Sequence, residues 1–203
     1  MNPTPNPSAL RLEDLEAREV PATHVSVVGH TLLVVGDNKA DVVHIADNGR
    51  GKLTVDAGGK HLVAEDVRHV LLFTGGGDDK VSYTLTGPLK TAEHIDAFLG
   101  PGADAAAFDF KAGVAAGGHL DLTLHGGVGD DKLKVDVGGV AKGGSAAVHV
   151  HGGAGKDAVY FHAVGDVGGR LVAMIDGDGG HDTEDVVSTA HQVGTGKITI
   201  RQR

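Results

Sequence analysis

His125-Gly126-Gly127-Val128-Gly129-Asp130-Asp131-Lys132-Leu133-Lys134-Val135 decides how this chain folds. It reads G-G-x-G-x-D and then alternates apolar and polar residues. The same phrase returns at Gly152-Gly153-Ala154-Gly155-Lys156-Asp157-Ala158-Val159 and at Gly75-Gly76-Gly77-Asp78-Asp79-Lys80-Val81. Weaker copies stand at Gly100-Pro101-Gly102-Ala103-Asp104 and Gly177-Asp178-Gly179-Gly180-His181-Asp182. The closing aspartates Asp79, Asp104, Asp131, Asp157 and Asp182 are spaced by 25, 27, 26 and 25 residues. A constant period of this size is the sequence mark of a solenoid.

Composition agrees with that reading. The chain has 203 residues, 33 of them glycine, with 3% aromatics and no tryptophan. A core of Val, Leu, Ile and Ala is thin, and a solenoid needs no more, because each coil covers only its neighbour. The formal charge of −9 argues against a nucleic-acid partner, which needs clustered Lys and Arg. It is compatible with cation binding. There is no cysteine, so disulfides and thiolate metal sites are excluded. No run approaches 18 apolar residues, so no membrane-spanning helix is expected. A positively charged head followed by an apolar stretch is also missing at the N-terminus, so no standard secretory signal is expected.

Outward from the central phrase, the period is two. Leu122-Thr123-Leu124-His125 and Val148-His149-Val150-His151 precede glycine corners, and Leu133-Lys134-Val135 and Val159-Tyr160-Phe161 follow them. A second glycine corner recurs as Gly117-Gly118, Gly143-Gly144 and Gly168-Gly169. Two strands, two corners and a variable connection make one coil of a right-handed parallel β-helix or β-roll. Leu124 should stack on Val150, and Leu133 on Val159. Asp37-Asn38-Lys39-Ala40-Asp41 is a degenerate first copy. The 38 residues from Asp41 to Asp79 read as one coil plus an inserted hairpin, with turns at Asn48-Gly49 and Gly58-Gly59. The expected divisions are a helical or disordered head over residues 1–22 and a repeat domain over 23–203. Within the latter, 23–69 form an N-terminal cap, 70–188 the regular coils and 189–203 a C-terminal cap. Glu184 falls where other coils have an inward apolar residue, which predicts a bulge or a frayed coil there.

Chemistry is concentrated at the glycine corner. Glycine permits positive φ and lets carbonyl oxygens turn to one side. An equivalent corner lies about 4.8 Å away on the next coil. Stacked carboxylates at that spacing repel one another unless a cation joins them. G-G-x-G-x-D-x-hydrophobic-x resembles the nonapeptide of the RTX-type, haemolysin-like calcium-binding repeats. That resemblance implies Ca²⁺ held between stacked turns. Asp79, Asp131 and Asp157 would be the carboxylate ligands and Asp104 and Asp182 weaker ones. Gly75, Gly77, Gly127, Gly129, Gly153 and Gly155 would supply the carbonyl bend. The family usually runs its nonapeptides back to back, whereas this chain has one per longer coil, so one edge at most would bind metal. The alternative is a purely structural turn. Residues 12–22, Leu-Glu-Asp-Leu-Glu-Ala-Arg-Glu-Val-Pro-Ala, resemble the L-E-x-L-E-x-R-x-x-P-A head of large bacterial surface and secreted proteins. This implies a secreted or cell-surface location.

Two other sites enter as expectations. His125 and His151 occupy equivalent places on successive coils, with His149 on the same face, and two such imidazoles could share Zn²⁺ or Ni²⁺. Some polysaccharide lyases are parallel β-helices that use Ca²⁺ and a basic residue. Here Arg50, Arg68 and Arg170 are scattered, and Tyr83 and Tyr160 are the exposed-type aromatics. Asp109 and Asp136 read as solvent-facing strand positions. The sequence therefore points to a non-enzymatic structural or adhesive domain, with calcium and cell-surface or extracellular-matrix components as partners. The rivals are a lyase-like enzyme and a solenoid with no ligand.

Overall fold

The structure is a computed structural model that describes residues 23–178 and 182–202. The head over residues 1–22, with its surface-protein resemblance, lies outside these. Every regular element described is a strand. The first coil and its cap comprise β1 (His24–Val28), β2 (Thr31–Val35), β3 (Val42–Asp47), β4 (Leu53–Ala57) and β5 (Lys60–Ala64). The regular coils follow as β6 (His69–Phe73) with β7 (Lys80–Leu85), β8 (Ala92–Pro101) with β9 (Ala105–Phe110), and β10 (His119–Val128) with β11 (Lys132–Val137). Next come β12 (Ser145–Ala154) with β13 (Ala158–Ala163), then β14 (Asp166–Val167) and β15 (Arg170–Asp176) with β16 (Thr183–Ser188). The chain ends in β17 (His191–Gln192) and β18 (Lys197–Gln202).

Sixteen of these strands form two eight-stranded sheets, ordered β1-β2-β6-β8-β10-β12-β15-β18 and β16-β13-β11-β9-β7-β3-β4-β5, and β14 and β17 pair as a short third one. Pairing is parallel from β2 through β18 and from β3 through β16. This is a β-solenoid of about five coils with about 26 residues each. The expected ladders are present: Leu124 pairs with Val150 and Leu133 with Val159. Alternation aims Leu122, Leu124, Leu133 and Val135 inward, all fully buried. Each such side chain contributes roughly 1.5–3 kcal/mol by leaving water. The few aromatic side chains are concentrated in the first half of the core. Tyr83 and Phe108 stack at 5.9 Å, and Phe110 lies 5.5 Å from Tyr83.

The antiparallel pairings are confined to the N-terminal end, where β1 folds on β2, β4 on β3 and β5 on β4. The inserted hairpin therefore covers the outer edge of the first coil, which would otherwise expose unpaired backbone.

Three details depart from the sequence reading. The glycine phrase is not wholly a turn: β8, β10 and β12 run into it, so Gly100, Gly127 and Gly153 pair in register. The variable connection carries a short third side, where Leu89, Val114, Val140 and Val167 form a row of parallel bridges and are buried. Glu184 neither bulges nor frays its strand. β16 keeps continuous register with β13 and places Glu184 against Val159, where its carboxylate accepts the Gly177 N–H at 2.8 Å.

Candidate functional site

The corner between the two sheets is built by glycine and closed by aspartate. Gly127 and Gly129 adopt φ of +120° and +140°, a region that side chains with a Cβ avoid. A second constraint acts at the same positions. A Cβ on Gly127 would overlap the carbonyl oxygen of Gly100, and one on Gly129 the carbonyl oxygen of Gly102. The coils approach so closely that only glycine fits, and the corner carbonyls point along the solenoid axis into the neighbouring coil.

The aspartates form one continuous row. The backbone N–H of Asp41 donates to Oδ1 of Asp79 at 2.8 Å, and that of Asp79 to Asp104 at 2.7 Å. Asp104 donates to Asp131 at 2.9 Å, Asp131 to Asp157 at 2.9 Å and Asp157 to Asp182 at 2.8 Å. Thr23 closes the N-terminal end with a 2.6 Å bond from its hydroxyl to Asp41. The backbone carbonyls of the same aspartates accept from the following coil, as in Lys132 N–H to Asp104 and Ala158 N–H to Asp131, both 2.8 Å. Each corner N–H, which would otherwise be a buried orphan, thus finds a carboxylate from the coil ahead.

All five predicted aspartates share this row. Asp41 joins it across the 38-residue interval, and Asp104 takes its place despite Pro101 and Ala103. The strength of a copy in the sequence does not rank its place in the row, because the backbone rather than the x positions carries the geometry. Pro101 uses only its carbonyl, which accepts from Gly77 N–H at 2.9 Å. Of the aspartates that precede the row, Asp78 accepts the Ala103 N–H and Asp130 the Lys156 N–H, each at 2.9 Å.

The second oxygen of each carboxylate is different. Oδ2 of Asp79, Asp104, Asp131 and Asp157 is buried without a hydrogen-bond partner. Oδ2 of Asp131 lies against Gly126 and that of Asp157 against Gly152, where a Cβ would collide with them. Burial pushes these carboxyls up, and like charge on neighbouring aspartates adds to the effect. Asp104 and Asp131 each reach about 6, and Asp79 and Asp157 are also raised.

A calcium ion wants six to eight oxygens around one point. The corner gathers the five carboxylates but offers one unengaged oxygen per coil. The glycine carbonyls expected to join them face the next coil instead. In this arrangement the corner therefore presents fewer unengaged oxygens than such a shell holds.

No protein-family model, curated protein or solved structure matches this chain. The functional reading rests on its own residues.

The remaining candidates fall elsewhere. His125 and His151 stack face to face, with centroids 4.8 Å apart and planes 9° from parallel. Their in-plane lone pairs run side by side and do not meet at a shared ion. They continue a ring ladder from Phe73 and Phe98 at spacings of 5.2 and 4.9 Å. Tyr83 is not an exposed aromatic: it is fully buried, and its hydroxyl donates to Oδ2 of Asp47 at 2.8 Å. Nor is Asp136 solvent-facing. It is 4% exposed, under Lys111 at 2.9 Å, Lys134 at 3.1 Å and His162 at 3.1 Å. Burial alone would raise its carboxyl, but the two ammonium groups hold it below the ordinary range.

Glu93 is a buried acid that the sequence reading missed. It is 2% exposed, and neither carboxylate oxygen has a partner. Burial first, and the nearby Asp47 charge second, push it to about 9, so it is neutral at pH 7. The signal was available: Glu93 lies in phase with Ile95 and Ala97, the inward residues of β8.

Proposed function

We propose that this chain is a non-enzymatic structural scaffold, a β-solenoid rod whose corner is held together by its own aspartate row. The observation that carries this reading is the unbroken succession of Asp N–H to Asp Oδ1 bonds from Asp41 to Asp182. The repeat spends its two most regular residue types, glycine and aspartate, on joining one coil to the next. An outward sheet face carrying half-exposed Phe73 and Phe98 suits an adhesive role. The secreted or cell-surface location rests on the resemblance of residues 12–22 alone. Against a lyase-like reading stands the burial of Tyr83, which leaves it no face for a sugar ring.

One observation favours calcium, namely the row of unpartnered Oδ2 atoms. The test is a melting curve of the whole chain, stripped of metal, with Ca²⁺ from micromolar to millimolar and with chelator. The scaffold reading expects the same midpoint throughout. A ligand that binds only the folded state would raise stability as RT ln(1 + [Ca²⁺]/Kd), about 2.7 kcal/mol at a hundred times Kd. A rise of that kind would overturn the metal-free reading.

A further inference from the structure

The ring ladder on the outer face of the first sheet ends in acids. His125 pairs with His151, and His151 with Asp176 on β15. Two residues beyond, Asp178 takes the place that Gly100, Gly127 and Gly153 hold on earlier coils. The ligand atoms of His151, Asp176 and Asp178 all lie within 4.8 Å of one another. His151 Nδ1 is 3.2 Å from Asp178 Oδ2. We propose that His151, Asp176 and Asp178 bind a divalent transition metal of the zinc, cobalt and nickel class.

The donor set selects the ion class. One imidazole and two carboxylates suit Zn²⁺, Co²⁺ or Ni²⁺, whereas Ca²⁺ and Mg²⁺ prefer all-oxygen shells. A tetrahedral or larger shell would be completed by water, because the three groups stand on a half-exposed face.

The set is also pre-arranged. The His151 ring is fixed by its stack on His125. The Asp178 backbone N–H donates to Asp176 Oδ1 at 3.0 Å, which orients that carboxylate. Asp178 itself adopts φ of +67°, a left-handed conformation that glycine takes most readily. The repeat uses glycine at this point in the four coils before it, at Gly75, Gly100, Gly127 and Gly153. Here an aspartate stands instead, and the carboxylate so gained meets His151.

Asp178→Gly separates this proposal from a structural role, since it restores the residue used by the four coils before it. The experiment is calorimetric titration of the untagged, metal-stripped chain with Zn²⁺, repeated with Asp178→Gly, His151→Ala and His149→Ala. The expected result is a one-to-one site in the parent chain. Asp178→Gly and His151→Ala should weaken it about tenfold or more, since losing even an outer-shell partner of a metal ligand has that effect. His149→Ala should leave it unchanged, and Asp178→Gly should melt no lower than the parent without metal. Equal Zn²⁺ binding by the parent and Asp178→Gly would overturn the site, as would loss on His149→Ala or no saturable binding at all. In the last case the cluster is an ion pair between His151 and Asp178.

Discussion

Replacing Asp131 by asparagine and by alanine separates the two oxygens of a row aspartate. Oδ1 accepts the Asp104 N–H at 2.9 Å, and Oδ2 has no partner. Alanine deletes both and leaves the Asp104 N–H orphaned in a corner where Asp104 is 2% exposed. An unsatisfied buried donor costs about 1–3 kcal/mol. For a domain of this size that is a midpoint lowered by about 2–12 °C. Asparagine keeps the oxygen on the same N–H and removes the charge, so it copies the protonated aspartate.

The pH dependence follows from the raised pKa. The folded value of Asp131, about 6, lies above the ordinary carboxylate value near 3.9. Between those values the folded state holds more protons than the unfolded one, so stability falls as pH rises through the window and levels off above it. Asp104, also at about 6, acts in the same direction. The parent chain should therefore melt higher at pH 5 than at pH 7.5. Asp131→Asn should match the parent at pH 5, exceed it at pH 7.5 and show a shallower slope between. Asp131→Ala should lie below Asp131→Asn at both. The assay is thermal unfolding followed by far-ultraviolet circular dichroism in chelator. If asparagine proves as damaging as alanine, or the parent gains stability as pH rises from 5 to 7.5, the row does not work as a backbone acceptor carrying excess protons.

Two further substitutions test the core. Glu93→Leu gives β8 the residue that β10 carries at Leu120, its register partner. It removes an acid with no partner for either oxygen, so the midpoint should rise at pH 7 and the gain should widen toward pH 10 as the parent's Glu93 ionises; an unchanged or lower midpoint would mean that the carboxyl has a use in the core. Leu133→Asp puts a charge at a fully buried place between Ala106 and Val159. It should abolish cooperative unfolding and the strand signal, and a soluble variant with native circular dichroism would contradict the inward register of β11.

Much of the fold was legible because the period survives in a few residues with no substitute. Gly127 and Gly129 need both a positive φ and an absent side chain, and Asp131 needs an oxygen at a fixed reach from the next coil. Those requirements recur each coil and so appear at 25–27-residue intervals. The alternating strands around them set the inward faces, and the expected pairs Leu124–Val150 and Leu133–Val159 followed. The third side was hidden because Leu89, Val114, Val140 and Val167 contribute single bridges, too short for any alternation. Asp136 was misread because alternation reports which face a residue takes. It does not report whether Lys111 and Lys134 will cover it.

The direction of the aspartates was the harder problem. G-G-x-G-x-D specifies a bend ending in a carboxylate, and that phrase fits a cage facing outward as well as a row facing inward. What separates them is the coil-to-coil distance at the corner. Where a Cβ on Gly129 would collide with the Gly102 carbonyl, that carbonyl is directed at the neighbouring coil. The corner N–H of Asp104 then faces the Asp131 carboxylate and takes one of its oxygens. Close stacking thus makes the phrase a joint between backbones, with one carboxylate oxygen per coil left without a hydrogen-bond partner.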